Sequence, residues 1–100
     1  MLQSFQTYQL ARSLYRQCEG IQTRAFIRDQ LVRAALSVVL NVAEGSAKPT
    51  AKERRRFYSI SLASLREVQA ISDLLGDTGT LAYADRVGGC LYRLSRPRTG

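Results

Sequence analysis

Residues 30–68 read QLVRAALSVVLNVAEGSAKPTAKERRRFYSISLASLREV, and this stretch holds two helical patterns separated by a short break. Before the break, apolar residues recur at the three- and four-residue spacing that places side chains on one face of an α-helix. They are Leu31, Ala34, Ala35, Val38 and Val42. In the break, GSAKPT, Pro49 cannot extend the preceding helix, and Thr50 with Glu53 forms a capping box that begins the next one. The stretch therefore predicts two helices joined by a defined loop.

The same periodicity predicts two further helices outside this stretch. We expect helices over residues 5–19, 24–44, 51–75 and 81–94. Short connections between such helices favour an all-α fold, an antiparallel up-and-down four-helix bundle. A chain of 100 residues fits a single domain over residues 1–100, with residues 95–100 as a frayed tail. Gly45 is expected to end the second helix in the left-handed conformation.

The two middle helices are apolar on more than one side. The second helix has an additional stripe made of Val32, Leu36, Val39 and Ala43. The third helix has one stripe of Phe57, Ile60, Ser64, Val68, Ile71 and Leu75, and another of Tyr58, Leu62 and Leu65. A helix that is apolar on two sides must bury both. The additional apolar surface fits either a wider core within the chain or an interface between subunits. The periodicity alone does not distinguish the two.

The composition excludes several classes of site. The chain has no histidine, which removes the Ser-His and Cys-His nucleophile pairs and the usual zinc sites. Cys18 and Cys90 form neither a CxxC pair nor a disulfide framework, which favours a reducing compartment, so we expect a cytoplasmic protein. No apolar run is long enough for a membrane span, and the N-terminus does not resemble a signal peptide. We expect no catalytic residue, no metal and no cofactor.

The stretch from residue 30 to residue 68 resembles a known family, the four-helix bundle proteins encoded in intervening sequences of bacterial 23S rRNA genes. Its first motif, approximately Q-x-R-R-A-A-x-S-I-x-x-N-I-A-E-G, is carried by Gln30, Arg33, Ala34, Ala35, Ser37, Val38, Asn41, Val42, Ala43, Glu44 and Gly45. Its second motif is carried by Thr50, Glu53, Ile60, Ser64, Leu65 and Glu67. The chain departs from the pattern at Arg54, where the family usually has Phe, and at Ala63, where it has Gly.

The resemblance implies a cytoplasmic antiparallel bundle that assembles into a homopentamer. No enzymatic activity is established for the family. The accessory proteins of diversity-generating retroelements are structurally similar, basic and pentameric, and they work with a reverse transcriptase and nucleic acid. That similarity concerns fold and charge, and a shared fold does not by itself confer a function.

A basic cluster surrounds the start of the third helix. Fifteen Lys and Arg against eight Asp and Glu give a net charge of +7. The candidate nucleic-acid-binding residues are Lys48, Lys52, Arg54, Arg55, Arg56 and Arg66. Arginine presents a planar fork that matches phosphate oxygens, and such contacts hold a polyanion largely without reading its sequence. The alternative is a solvated helix face that keeps the protein soluble.

A second group of polar residues lies beside the apolar stripes of the middle helices: Ser37, Asn41, Glu44, Ser64 and Glu67. On antiparallel helices these side chains are expected to meet as a hydrogen-bonded network that fixes helix register. A functional alternative is an acid/base or metal site that uses Glu44 and Glu67. The missing histidines argue against that alternative, since di-metal bundles use Glu-x-x-His pairs.

The sequence thus predicts a non-enzymatic, oligomeric bundle whose basic surface binds RNA or DNA with little sequence specificity, or binds a nucleic-acid enzyme such as a reverse transcriptase. One alternative is a protein–protein scaffold in which the charge serves solubility only. Another is a metal-dependent enzyme using Glu44 and Glu67. No membrane partner is expected.

Overall fold

The structure, a computed structural model, describes residues 2–97. It contains four α-helices: α1 (Leu2–Glu19), α2 (Ala25–Ser46), α3 (Ala51–Leu75) and α4 (Thr78–Ser95). The predicted four-helix bundle is confirmed. The predicted bounds of α3 agree with the structure, whereas α4 begins three residues before its predicted start. The reason is Asp77, whose carboxylate accepts a hydrogen bond from the Thr80 amide at 2.9 Å and so caps the helix. Of the predicted tail, residues 98–100 lie outside the described residues.

Each helix packs against two neighbours. α2 lies between α1 and α3, and α4 closes the bundle by contacting α3 and α1. Contacts between neighbouring helices run in opposite chain directions: on α2 and α3, Val38 pairs with Ser61, and further along α2, Ser46 pairs with the earlier Tyr58. Such contacts are consistent with the expected antiparallel order. Among the helices of residues 2–97, none combines the length and the hydrophobicity that a membrane span requires.

The core lies along the axis of the bundle. Every helix contributes one leucine that is fully buried, namely Leu14, Leu31, Leu65 and Leu91. On α3, the side that faces the core combines members of both predicted stripes: Tyr58 and Leu65 of the second are buried and so is Val68 of the first, whereas Ile60 of the first is 40% exposed. Ser61 also belongs to this buried side, and its hydroxyl donates to the Val38 carbonyl at 2.8 Å. A hydrophobicity pattern misses such a small polar core residue.

The prediction for Gly45 is wrong. α2 continues through Gly45 to Ser46, and among residues 2–97 only Gly76 has a positive φ, 69°. Gly45 is buried against α3 instead: a Cβ built on it would lie 2.8 Å from the Phe57 Cβ and 3.1 Å from a Tyr58 ring carbon. Glycine is therefore needed here for a close approach between helices rather than for its backbone freedom.

Candidate nucleic-acid interface

The start of α3 positions most of the predicted basic residues. The Thr50 hydroxyl accepts from the Glu53 amide at 3.1 Å and donates to the Glu53 carboxylate at 3.2 Å, so the capping pair fixes the first helical turn. Lys52, Arg54, Arg55 and Arg56 then fall within the first two turns. Because successive residues are about 100° apart around a helix, three consecutive arginines spread around α3 instead of sharing one face. Lys52 and Arg56 are exposed, while Arg54 and Arg55 are half-buried.

Lys48 and Arg54 brace the loop that precedes α3. The Arg54 guanidinium donates to the Lys48 carbonyl at 3.1 Å. The Lys48 ammonium lies 5.0 Å from the centre of the Phe57 ring and 3.8 Å from the Glu44 carboxylate. Cation–π and exposed ion-pair contacts of this kind are weak individually, but together they hold both cations beside the helix start.

Arg66 is separate from this cluster. It lies three turns beyond Arg55, about 16 Å along the helix. Its guanidinium donates to the Gln69 side chain at 2.9 Å, and Gln69 donates to the Asp85 carboxylate of α4 at 2.9 Å. The acidic residue at the end of this chain of hydrogen bonds lowers the positive potential near Arg66. The structure therefore brings together five of the six predicted residues and leaves Arg66 on a different part of α3.

Few of the positive charges are neutralised by neighbours. Within residues 2–97, the Lys48–Glu44 contact is the single ion pair. Across that same part of the chain, Lys52, Arg55 and Arg56 have no hydrogen-bond or ion-pair partner among the contacts of the structure. Cations without a protein partner can make their contacts to an external anion without first breaking an internal one.

Two basic residues near the cluster were missed by the sequence analysis. Arg93 and Arg96, on and just after the last turn of α4, line the same groove as Arg54 and Arg55. They are about forty positions away in the sequence, so a search for local charge runs does not find them. Their three-residue spacing at the end of a helix was the available signal, because antiparallel packing places the end of α4 beside the start of α3.

Three of the five predicted network residues meet at the α2–α3 seam. The Ser37 and Ser64 hydroxyls lie 2.7 Å apart, and the Asn41 amide donates to the Ser37 carbonyl at 2.9 Å and to its hydroxyl at 3.2 Å. The Ser37–Ser64 contact thus links α2 to α3, and Asn41 holds Ser37 from the next turn of α2. This arrangement can hold the register of the two helices.

The two carboxylates lie apart from these hydrogen bonds. Glu44 is exposed and its contact is with Lys48. Glu67 is exposed and lines a groove of about 470 Å³ beside Phe26 and Leu74. Within residues 2–97, no group of three or more His, Cys, Asp and Glu side chains is placed to hold a metal ion. The sequence-based alternative of a site shared by Glu44 and Glu67 therefore has no support in their positions.

The comparisons with known proteins give one family. The sequence model of the 23S rRNA-intervening sequence proteins matches residues 3–86. The matched range covers α1, α2, α3 and about half of α4, and it contains the motif residues of the helix–loop–helix stretch. Arg93 and Arg96 lie beyond it. No curated protein and no solved structure matches the chain.

Proposed function

The chain belongs to the 23S rRNA-intervening sequence protein family, and on this basis we propose that it is a cytoplasmic, non-enzymatic oligomer that binds nucleic acid through the start of α3. The resemblance noted in residues 30–68 is confirmed by the family match. Family membership alone does not give a ligand. The proposal therefore depends on the charge and exposure of the residues around the α2–α3 loop.

The observation that carries the proposal is the concentration of unpaired cations in one short segment of the chain. Lys52, Arg55 and Arg56 sit in the first two turns of α3 without an acidic partner in the described part of the chain. The N-terminal end of a helix also carries a partial positive charge of its own. Arginine forks and lysine ammonium groups in such a field attract phosphates at long range and release counterions on contact.

Exposed apolar side chains favour assembly. Leu40 on α2 is 56% exposed and Leu74 near the end of α3 is 84% exposed, and Phe26 at the start of α2 is 65% exposed. Phe26 and Leu74 line the same groove, and a contiguous apolar surface of this kind is typical of a site that another protein covers. We propose a homo-oligomer, and the resemblance favours a pentamer. A ring repeats the basic segment once per subunit, so weak phosphate contacts add up along one polyanion.

The same apolar surfaces support a second candidate function, a scaffold whose occupant is another protein, for example a nucleic-acid enzyme such as a reverse transcriptase. In that case the basic cluster serves solubility. The two functions differ in one measurable property, which is direct retention of nucleic acid by the purified protein.

A filter-retention or gel-shift experiment tests the proposal. Wild-type protein should retain labelled single-stranded RNA and DNA at low salt, and retention should fall steeply as salt is raised. The double change Arg55→Glu with Arg56→Glu should abolish retention, while circular dichroism and oligomer mass stay unchanged. A matched control, Arg12→Glu with Arg24→Glu, changes the net charge equally at exposed positions outside the first turns of α3. If wild type retains neither polymer at low salt, the scaffold function replaces this one.

A further inference from the structure

A groove opens at the end of the bundle where α1 begins and α4 ends. It has a volume of about 410 Å³, in the range of pockets that hold small ligands. Three helices form its walls. The lining residues are Gln3 and Ser4 of α1, Ala51, Arg54, Arg55 and Tyr58 of α3, and Arg93, Leu94 and Arg96 at the end of α4.

The groove concentrates positive charge. Four of its nine lining residues are arginines, and none of the nine is acidic. Within the described residues no carboxylate pairs with any of the four. Like charges this close repel one another, so the groove is suited to an anion that relieves the repulsion.

Several of these guanidinium groups are already held in place. Arg54 donates one N–H to the Lys48 carbonyl at 3.1 Å. Arg96 donates to the Tyr92 hydroxyl and lies 4.9 Å from the centre of its ring. Arg93 has a long contact, 3.6 Å, with the Cys90 sulfur. Each contact uses a part of the five-donor fork and limits the freedom of the side chain, so binding an anion costs less side-chain entropy.

We propose that this groove binds a phosphate monoester, either the terminal phosphate of a nucleic-acid strand or the phosphate of a free nucleotide. The nucleic-acid source rests on the proposed function, since it names the part of the polymer that the groove holds. Arg93 and Arg96 lie outside the range matched by the family, residues 3–86.

The choice of a monoester follows from charge and shape. A terminal phosphate carries about −1.5 to −2 charges near neutral pH and three free oxygens, which several arginine forks can approach together. A phosphodiester within a strand carries one charge and two free oxygens. The strand must also extend out of the groove on both sides of that phosphate. A groove with walls from three helices receives a strand end more readily than a continuous strand.

The test compares two single-stranded DNA oligonucleotides of the same sequence, one with a 5′-phosphate and one with a 5′-hydroxyl, by fluorescence anisotropy at low salt. Wild type should bind the phosphorylated strand about tenfold more tightly, which is the order expected from one or two charge-assisted hydrogen bonds. Arg93→Gln with Arg96→Gln should bring the two affinities together. Arg12→Gln with Arg86→Gln removes the same net charge at exposed positions that do not line the groove, and it should preserve the difference.

Adenosine monophosphate distinguishes the two sources. If it raises the melting temperature of wild type and displaces the phosphorylated strand, whereas adenosine does neither, the groove accepts a free nucleotide. If only the phosphorylated strand gains affinity, the groove selects a strand end.

Equal affinity for both strands in wild type, with retention otherwise intact, would overturn the groove proposal and leave nucleic-acid binding standing. Absence of all strand binding together with a melting shift by adenosine monophosphate would support the groove and overturn the proposed function. Absence of both responses would overturn both.

Discussion

Gly45 and Phe57 touch so closely that a Cβ built on Gly45 would stand 2.8 Å from the Phe57 Cβ. The same Cβ would be 3.3 Å from the carbonyl oxygen of Arg54. At this point the backbone of the last turn of α2 therefore packs directly against side chains of the first turns of α3. That contact sets where the basic segment of α3 lies relative to the rest of the bundle.

The first prediction concerns this contact. Gly45→Ala should lower the free energy of unfolding by about 1–3 kcal/mol, because two of the three nearest atoms, the Phe57 Cβ and the Arg54 carbonyl oxygen, are fixed to the α3 backbone and cannot move aside. Chemical denaturation monitored by circular dichroism measures the change. Gly89→Ala is the control: it is exposed in α4, where an added methyl has room, so alanine should be neutral or stabilising by up to about 1 kcal/mol. Equal effects at the two positions would contradict the close approach.

The second prediction separates the seam network from the carboxylate next to it. Ser37→Ala removes the partner of both Ser64 and Asn41 and should cost about 1–2 kcal/mol of unfolding free energy. Glu44→Ala should cost less than about 0.5 kcal/mol, since the Glu44 side chain is 58% exposed and its ion pair with Lys48 is at the surface. Thermal or urea unfolding of the two variants gives the comparison. A larger loss of unfolding free energy for Glu44→Ala than for Ser37→Ala would contradict the prediction, because it would mean that the carboxylate stabilises the fold more than the seam network does.

The sequence predicted the parts of this structure that depend on neighbours along the chain. Thr50 and Glu53 are three residues apart, and their pairing gave the start of α3 correctly. The role of Gly45 was missed, because it depends on Phe57, which packs there only after the two helices fold together. A glycine just after a helix commonly adopts the left-handed conformation. Gly45 instead stays helical, because α3 packs closely against it.

The same limit applies to the candidate site. The charge run from Lys48 to Arg56 is local and was found, whereas Arg93 and Arg96 join it only through the packing of α4. Ser61 faces the core for a similar reason: its hydroxyl finds the Val38 carbonyl on the next helix. The pattern of charged and polar residues along one helix does not show which residues of another helix pack beside it. The groove could therefore be recognised only from the assembled bundle.

The third prediction uses the two cysteines. Burial raises the pKa of the Cys18 thiol to about 12, and the negative charge of Asp77 adds to the rise. The thiolate is the reactive form, so Cys18 should resist iodoacetamide at pH 8, while the half-buried Cys90 reacts. Intact-mass measurement should show one alkyl group on the native protein and two after denaturation. Two rapid additions to the native protein would contradict the burial of Cys18.

The same pKa gives a stability trend with a definite sign. In the unfolded chain the thiol ionises at its ordinary pKa, 9.0, whereas in the folded protein it stays protonated to about 12. The unfolded state therefore loses a proton first as the pH rises, and the free energy of unfolding should fall between pH 9 and pH 12. Cys18→Ala should lose this part of the alkaline slope.

The last prediction concerns assembly. Size exclusion with light scattering should give a mass several times 11.2 kDa for wild type. Leu40→Glu should shift that mass downward while helicity remains, because Leu40 is 56% exposed in the single chain and a charge there costs little unless another subunit covers it. Ala82→Glu introduces the same charge at an exposed position of α4 and serves as the control.

In a ring, each subunit contributes two different surfaces, so one altered surface on every chain breaks every contact at once. A monomer mass for wild type at micromolar concentration would contradict the proposed oligomer. Repeated weak phosphate contacts along one strand could then no longer explain binding.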